Sequence, residues 1–202
     1  MNNYICINNQ KIELTQDQVD RIVAAHGQNG ILLAGVIVSD TVKIGGHEMV
    51  VLEQTGDTTV LIRKDLLSAQ QFGANNNYDG SYVDTACNEF AKEISDAVGA
   101  ENMVLHTVDL TTDDGLKDYG HIQRQASLLT ADQYRQYVDI LDEHKPDAWW
   151  WLATAYSTKK HDNDRWVKCV SPSGGINYGF NIDHDYGVRP FCILKSNIFV
   201  SK

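Results

Sequence analysis

Three adjacent tryptophans, Trp149-Trp150-Trp151, with Leu152 directly behind them, constrain this chain more than any other feature. Each such side chain removes roughly 150–250 Å² from water when buried. Successive strand residues point to opposite faces, so a strand here sends at least two of the three indoles into core. Trp166–Val170 reads as a further strand, residues 171–175 as a Pro-Gly turn and residues 187–194 as a closing strand. Two polar segments, residues 156–165 and 176–186, lie between them. Residues 149–195 are therefore expected to form the C-terminal core of an α+β domain, a rigid platform with a polar rim.

Upstream, Tyr4, Cys6, Ile12 and Leu14 flank a turn-like Asn8-Asn9-Gln10, which predicts a hairpin. Thr15 and Gln18 form a capping box ahead of a helix carrying Val19, Ile22 and Val23, with Gly27 as its stop. Residues 1–28 are thus expected to be a hairpin-helix appendage, with residues 1–27 serving oligomerisation or attachment to a larger particle. After Ile31 to Val38, the strands Val42 to Ile44 and His47 to Glu53 enclose Gly45-Gly46. That pair reads as a hairpin turn, since no Lys-Ser/Thr ending or following helix makes it a phosphate loop. A turn at residues 54–57 leads to a strand from Thr58 to Ile62. Val83, Cys87, Phe90, Ile94 and Val98 recur at helical spacing and stop at Gly99. Met103 to Leu110 reads as a strand, and residues 111–120 as acidic and irregular. A second capping box, Thr130 with Gln133, opens a helix faced by Tyr134, Tyr137, Val138 and Leu141.

The chain has 202 residues, 27 acidic against 17 basic, for a formal charge of −10. Phosphate backbones need clustered Lys and Arg, so nucleic acid is not an expected partner. The N-terminus lacks a secretion signal, and the longest apolar run is too short to span a bilayer. The expectation is cytoplasmic synthesis without membrane insertion, with a phage particle as the alternative destination. Cys6, Cys87, Cys169 and Cys192 contain no C-x-x-C pair and read as buried thiols, with a Cys169–Cys192 disulfide left open.

The series WWWLATAYS, WVKCVSPSGGIN and YGVRPFCILK, with IGGHEMVVLE, LIRKDLL and LTTDDGLKDYG before it, resembles a family of bacterial and phage proteins of unassigned function. The resemblance spans about residues 40–198. It is similar to the C-type-lectin-like group that includes formylglycine-generating enzymes and the variable proteins of diversity-generating retroelements. It implies an α+β, C-type-lectin-like fold over residues 30–202, with two helices packed on small antiparallel sheets and long polar loops. The loops before the closing strand would then be the binding surface. No Glu-Pro-Asn, Gln-Pro-Asp or Trp-Asn-Asp motif of calcium-dependent sugar binding is present.

The expected function is a ligand- or receptor-binding module of phage or prophage type, taking a protein or glycan through loops 156–165 and 173–186. Residues 173–186 are all types reachable by adenine substitution in Asn-type codons, as in a retroelement variable protein. They are also types that binding loops favour. The contact residues are expected to be Tyr156, His161, Asn163, Trp166, Asn177, Tyr178, Phe180, Asn181, Asp183 and His184. Asp113-Asp114, Asp162-Asn163-Asp164 and Asp183-His184-Asp185 lack EF-hand spacing and read as solvated loop carboxylates, and His161 with His184 lacks a third zinc ligand. No catalytic residue, metal or cofactor is therefore assigned. Arg189 is expected to pair with a carboxylate, Asp183 or Asp185. The alternatives are a thiol-dependent or other enzyme using Cys169 and Cys192, or a structural particle protein.

Overall fold

The computed structural model describes residues 4–7, 10–26 and 30–201. Strands hold 36% of the chain and helical segments 25%, and this overturns the expected fold class. In place of two helices on small antiparallel sheets, the chain builds an eight-stranded curled sheet and a five-stranded sheet. The physical reason lies in non-local pairing. Segments 68–70, 176–181 and 199–201, which look like loops or tails one at a time, are extended because distant strands supply their hydrogen bonds.

The large sheet is built around β4 (Thr41–Ile44), β5 (His47–Thr55) and β6 (Thr58–Arg63), joined by tight hairpins. Gly45 and Gly46 at the first turn have φ of +57° and +83°, the left-handed pair that a two-residue hairpin needs. β16 (Phe191–Lys195) pairs with β6 on one side. On its other side it pairs with β8 (Met103–Val104) and β11 (Ala126–Ser127). β17 (Phe199–Ser201) enters between β4 and β3 (Gly30–Leu32). The second sheet runs β14 (Ile176–Asn181), β13 (Trp166–Val170), β12 (Trp150–Ala155), β15 (Tyr186–Val188) and β7 (Ser68–Gln70), with β12 and β15 parallel.

Alternation along β12 decides how the layers stack. Trp150 and Leu152 face Val50, Ile62 and Phe191 of the large sheet, where α3 (Ala131–Gln136) and α4 (Val138–Glu143) add Tyr134 and Leu141. Trp151 and Ala153 face the other way, onto Phe72, Tyr78 and Cys87. Two neighbouring indoles thus fill two different cores, as the triple-Trp motif demands. The long helix α2 (Tyr82–Val98) packs Phe90, Ala91 and Ile94 on the opposite face of the large sheet. Its first two turns carry Val83 and Cys87 into the Trp151 core. Ser81 caps it through the Asp84 amide, and Gly99 ends it at φ +89°.

The predicted capping boxes are both present. Thr15 and Gln18 exchange bonds ahead of α1 (Gln16–His26), and Thr130 and Gln133 do so at α3. The helix read through Tyr137 is broken there into α3 and α4, with φ −108° and ψ 15° at Tyr137. The predicted hairpin forms between β1 (Tyr4–Ile7) and β2 (Gln10–Glu13), while the Gly27 stop lies outside the described residues. The strand read from Met103 to Leu110 breaks at an exposed Leu105 into β8 and β9 (His106–Asp109), and β9 pairs with β10 (His121–Arg124). No helix among the described residues is long and apolar enough to cross a membrane.

The closing strand expected at 187–194 is two strands in two sheets, split at Arg189-Pro190. Pro190 has no N–H for a ladder, and Arg189 turns its fully buried side chain inward. The expected carboxylate partner is absent. Arg189 Nε donates to the Arg63 carbonyl at 2.9 Å, and Nη2 to those of Lys64 and His144 at 3.1 and 2.8 Å. Asp183 instead serves Arg165.

Candidate functional site

The β12–β13 loop, residues 156–165, is long and polar, yet hydrogen bonds to Asn76, Asp114 and Asp118 brace it. Asn76 is fully buried. Its Nδ2 lies 3.0, 3.4 and 3.0 Å from the carbonyls of Ser157, Asn163 and Trp166, and its Oδ1 accepts the Tyr119 hydroxyl at 2.6 Å. Asp114 accepts Thr112 Oγ1 at 2.5 Å, Ser157 Oγ at 2.6 Å and His161 Nδ1 at 2.9 Å. Burial pushes that carboxyl up, but the bonds from Ser157, Thr112 and His161 outweigh it and hold the group well below the usual carboxylate range. Thr158 is tied to Asp118 at 2.8 Å. The acids at 113–114, expected as solvated loop carboxylates, are exposed residues, and the carboxylate of Asp114 also holds this loop in place. Asp113 also binds the buried Lys168 at 3.0 Å.

On the outer side, Trp166 opens β13 and is 46% exposed. The half-buried Tyr156 tilts against it at a centroid distance of 6.1 Å. Opposite Trp166 in the ladder is Asn181, whose Oδ1 accepts Arg165 Nη2 at 3.4 Å. Arg165 also pairs with Asp183 at 2.5 Å. Tyr156, His161, Asn163, Trp166, Asn181 and Asp183 thus gather on one edge, organised by Arg165 and Asn76, which sequence reasoning passed over, and by Asp114, which it read only as a solvated carboxylate.

The other expected residues lie apart. Asn177 stands opposite Cys169, four residues along β14 from Asn181, about 13 Å away at strand rise. Tyr178 and Phe180 are in β14, but their side chains lie outside the described residues. His184 stacks flat on Tyr186 at 5.3 Å and 4°, and Tyr186 stacks on Trp149 at 5.7 Å and 19°. The 176–186 segment is a paired edge strand followed by a turn: Ile182 is buried, and only Asp183, His184 and Asp185 are exposed in that turn.

Two Ser–His–acid groupings invite a catalytic reading, and connectivity argues against both. Ser157 Oγ and His161 Nδ1 address the same Asp114 oxygen, so the serine proton points to the acid and not to the imidazole. Ser157 is also buried. Ser39 Oγ lies 3.0 Å from His144 Nε2 and 2.7 Å from Glu143. His144 Nε2, however, is also 2.9 Å from the Ser39 carbonyl, which can only accept. That nitrogen therefore carries the hydrogen and has no lone pair for the hydroxyl. This grouping locks Ser39 in its left-handed conformation, φ +73°.

Cys87, Cys169 and Cys192 are free and buried, and burial pushes each thiol up to about 12. Such thiols are inert as nucleophiles at neutral pH. Cys169 lies in β13 and Cys192 in β16, so the two belong to different sheets. Among the described residues, no group of three or more His, Cys, Asp or Glu side chains converges as a metal site would require.

A family model described as a domain of unknown function (DUF6273) matches residues 107–196, from β9 through β16. The expected resemblance to a family of unassigned function therefore stands at that level and over that span. No curated protein and no solved structure matches the chain.

Proposed function

We propose that the protein is a recognition module that binds a protein or glycan ligand at the edge formed by loop 156–166 and turn 181–185. The observation that carries this reading is Trp166, a large aromatic left 46% exposed at the start of β13, beside a loop braced by hydrogen bonds to Asn76 and Asp114. Aromatic side chains offer rigid contact area at low entropic cost, and the surrounding His161, Asn163, Arg165 and Asp183 supply polar contacts. A pre-organised surface does not have to be ordered at the moment of binding. A module of phage or prophage type, diversified by a retroelement, is the narrower form of the reading. Its support is the run of adenine-accessible residue types at 173–186.

The test is an array of glycans and surface proteins probed with the wild-type chain and with Trp166→Ala. Capture of a ligand by wild type, weakened about thirtyfold or more in Trp166→Ala, supports the site, since hot-spot aromatics are worth about 2 kcal/mol or more. Equal capture by both proteins moves the binding face elsewhere. Sequencing of natural carriers tests the narrower form. Substitutions confined to adenine positions of codons 156–186 support it, and an invariant stretch removes it.

A further inference from the structure

Among the described residues, Arg189 and Trp150 each carry a buried hydrogen-bond donor without an acceptor. The guanidinium is fully buried near the ends of β6 and α4, and its central carbon lies 5.2 Å from the Trp150 ring centroid. Nε and Nη2 are spent on three backbone carbonyls. Nη1 has no acceptor among the described residues, and neither has Trp150 Nε1, on a side chain only 1% exposed. Both nitrogens can only donate, so they cannot satisfy one another.

The charge makes a second, independent demand. A buried cation is ordinarily matched by an anion, because neutral dipoles replace only part of its hydration. Every acceptor bonded to Arg189 is a neutral carbonyl, and burial lowers the guanidinium to about 10 despite the fields of Tyr134 and Asp65. Two orphan donors on touching side chains and one unneutralised charge are answered by the same kind of species.

We propose that Arg189 Nη1 and Trp150 Nε1 together bind one small monovalent anion of the chloride class, enclosed between the two sheets. A water molecule would meet the donors but leave the charge. The anion would tie β12, in the five-stranded sheet, to the Arg189-Pro190 corner through which the chain passes into the large sheet.

The test is thermal unfolding of the full chain at constant ionic strength, with sodium chloride replacing sodium gluconate. The expected result is a saturable rise in Tm of about 3 °C or more by about 100 mM chloride, because a ligand bound only to the native state stabilises it by mass action. Bromide is expected to substitute, and crystals grown in bromide should give an anomalous peak within hydrogen-bond reach of both nitrogens. Trp150→Phe keeps an aromatic ring beside the guanidinium and removes the N–H; it is expected to fold and to lose most of the chloride increment. Equal melting in chloride and gluconate overturns the proposal. So does a Trp150→Phe protein with the full increment, or bromide density without a peak at this position.

Discussion

Arg124 closes on Asp84 as a two-pronged clamp, Nε to Oδ1 at 2.8 Å and Nη2 to Oδ2 at 2.7 Å. The carboxylate it holds is almost completely buried. The same guanidinium reaches Asp79 at 2.6 Å, so one side chain at the end of β10 fastens both the 75–80 loop and the first turn of α2.

Removing the cation leaves the Asp84 charge stranded in the core. Arg124→Ala is expected to cost about 3–5 kcal/mol, the range for breaking a buried pair from one side. Arg135→Ala, which releases an exposed contact to Asp132, is expected to cost at most about 1 kcal/mol. Urea unfolding of both variants checks the contrast.

Asn76→Ala leaves the carbonyls of Ser157, Asn163 and Trp166 without their shared donor and strands the Tyr119 hydroxyl. A loss of about 2–3 kcal/mol is expected from buried groups left unsatisfied. Proteolysis in the native state should shift to residues 157–165, and mapping the first cut reads this directly.

His106 is buried, bonded through Nε2 to Ser127 at 2.9 Å and packed on Phe191. Burial lowers its imidazole from 6.5 to about 4. Between those values the unfolded chain holds the proton and the folded chain does not. Stability is therefore full above about pH 6.5 and falls as pH drops towards 4, by about 3 kcal/mol across the window. His106→Gln should flatten the profile between pH 4.5 and 6.5, measured by denaturant midpoints, whereas the carboxylates act mainly below that range.

The three buried thiols should resist alkylation in native buffer and react once the chain is denatured. Intact mass after treatment with iodoacetamide counts them. Rapid native labelling of Cys169 or Cys192 would revive the thiol-enzyme alternative.

What could be read in the sequence was whatever local chemistry decides by itself. Gly45-Gly46 specifies its turn through backbone freedom, Thr130 and Gln133 satisfy each other within one turn of helix, and the α2 stripe is a matter of spacing. Trp150 and Trp151 announce buried opposite faces through alternation alone. The failures are pairings between distant residues. Segment 187–194 reads as one strand because the apolar residues on either side of Arg189-Pro190 look alike, and only their distant partners place them in different sheets. β14 hides among Asn, Tyr and Gly because the backbone of β13 supplies its pairing. Asn76 sits in an Asn-rich stretch that looks like solvent-facing turn, and only the fold places that one amide under another loop. For the candidate site, Trp166 and its polar neighbours were legible as an unusually placed aromatic in a polar rim. The braces beneath it were not, since they come from residues 40 to 90 positions away along the chain.

The passage of the chain through Arg189-Pro190 also sets an order of events in time. β15 completes the five-stranded sheet beside β12, β16 joins β6 to β8 and β11, and β17 enters between β3 and β4. Neither sheet can close until residues 186–201 are available. During synthesis, the hydrophobic faces made by the first 185 residues must wait uncovered for partners that arrive late, and long-range pairing of this kind is slow to form. Nascent chains stalled before residue 186 should therefore be open, protease-sensitive and dependent on holding chaperones, and acquisition of structure should come as one late step.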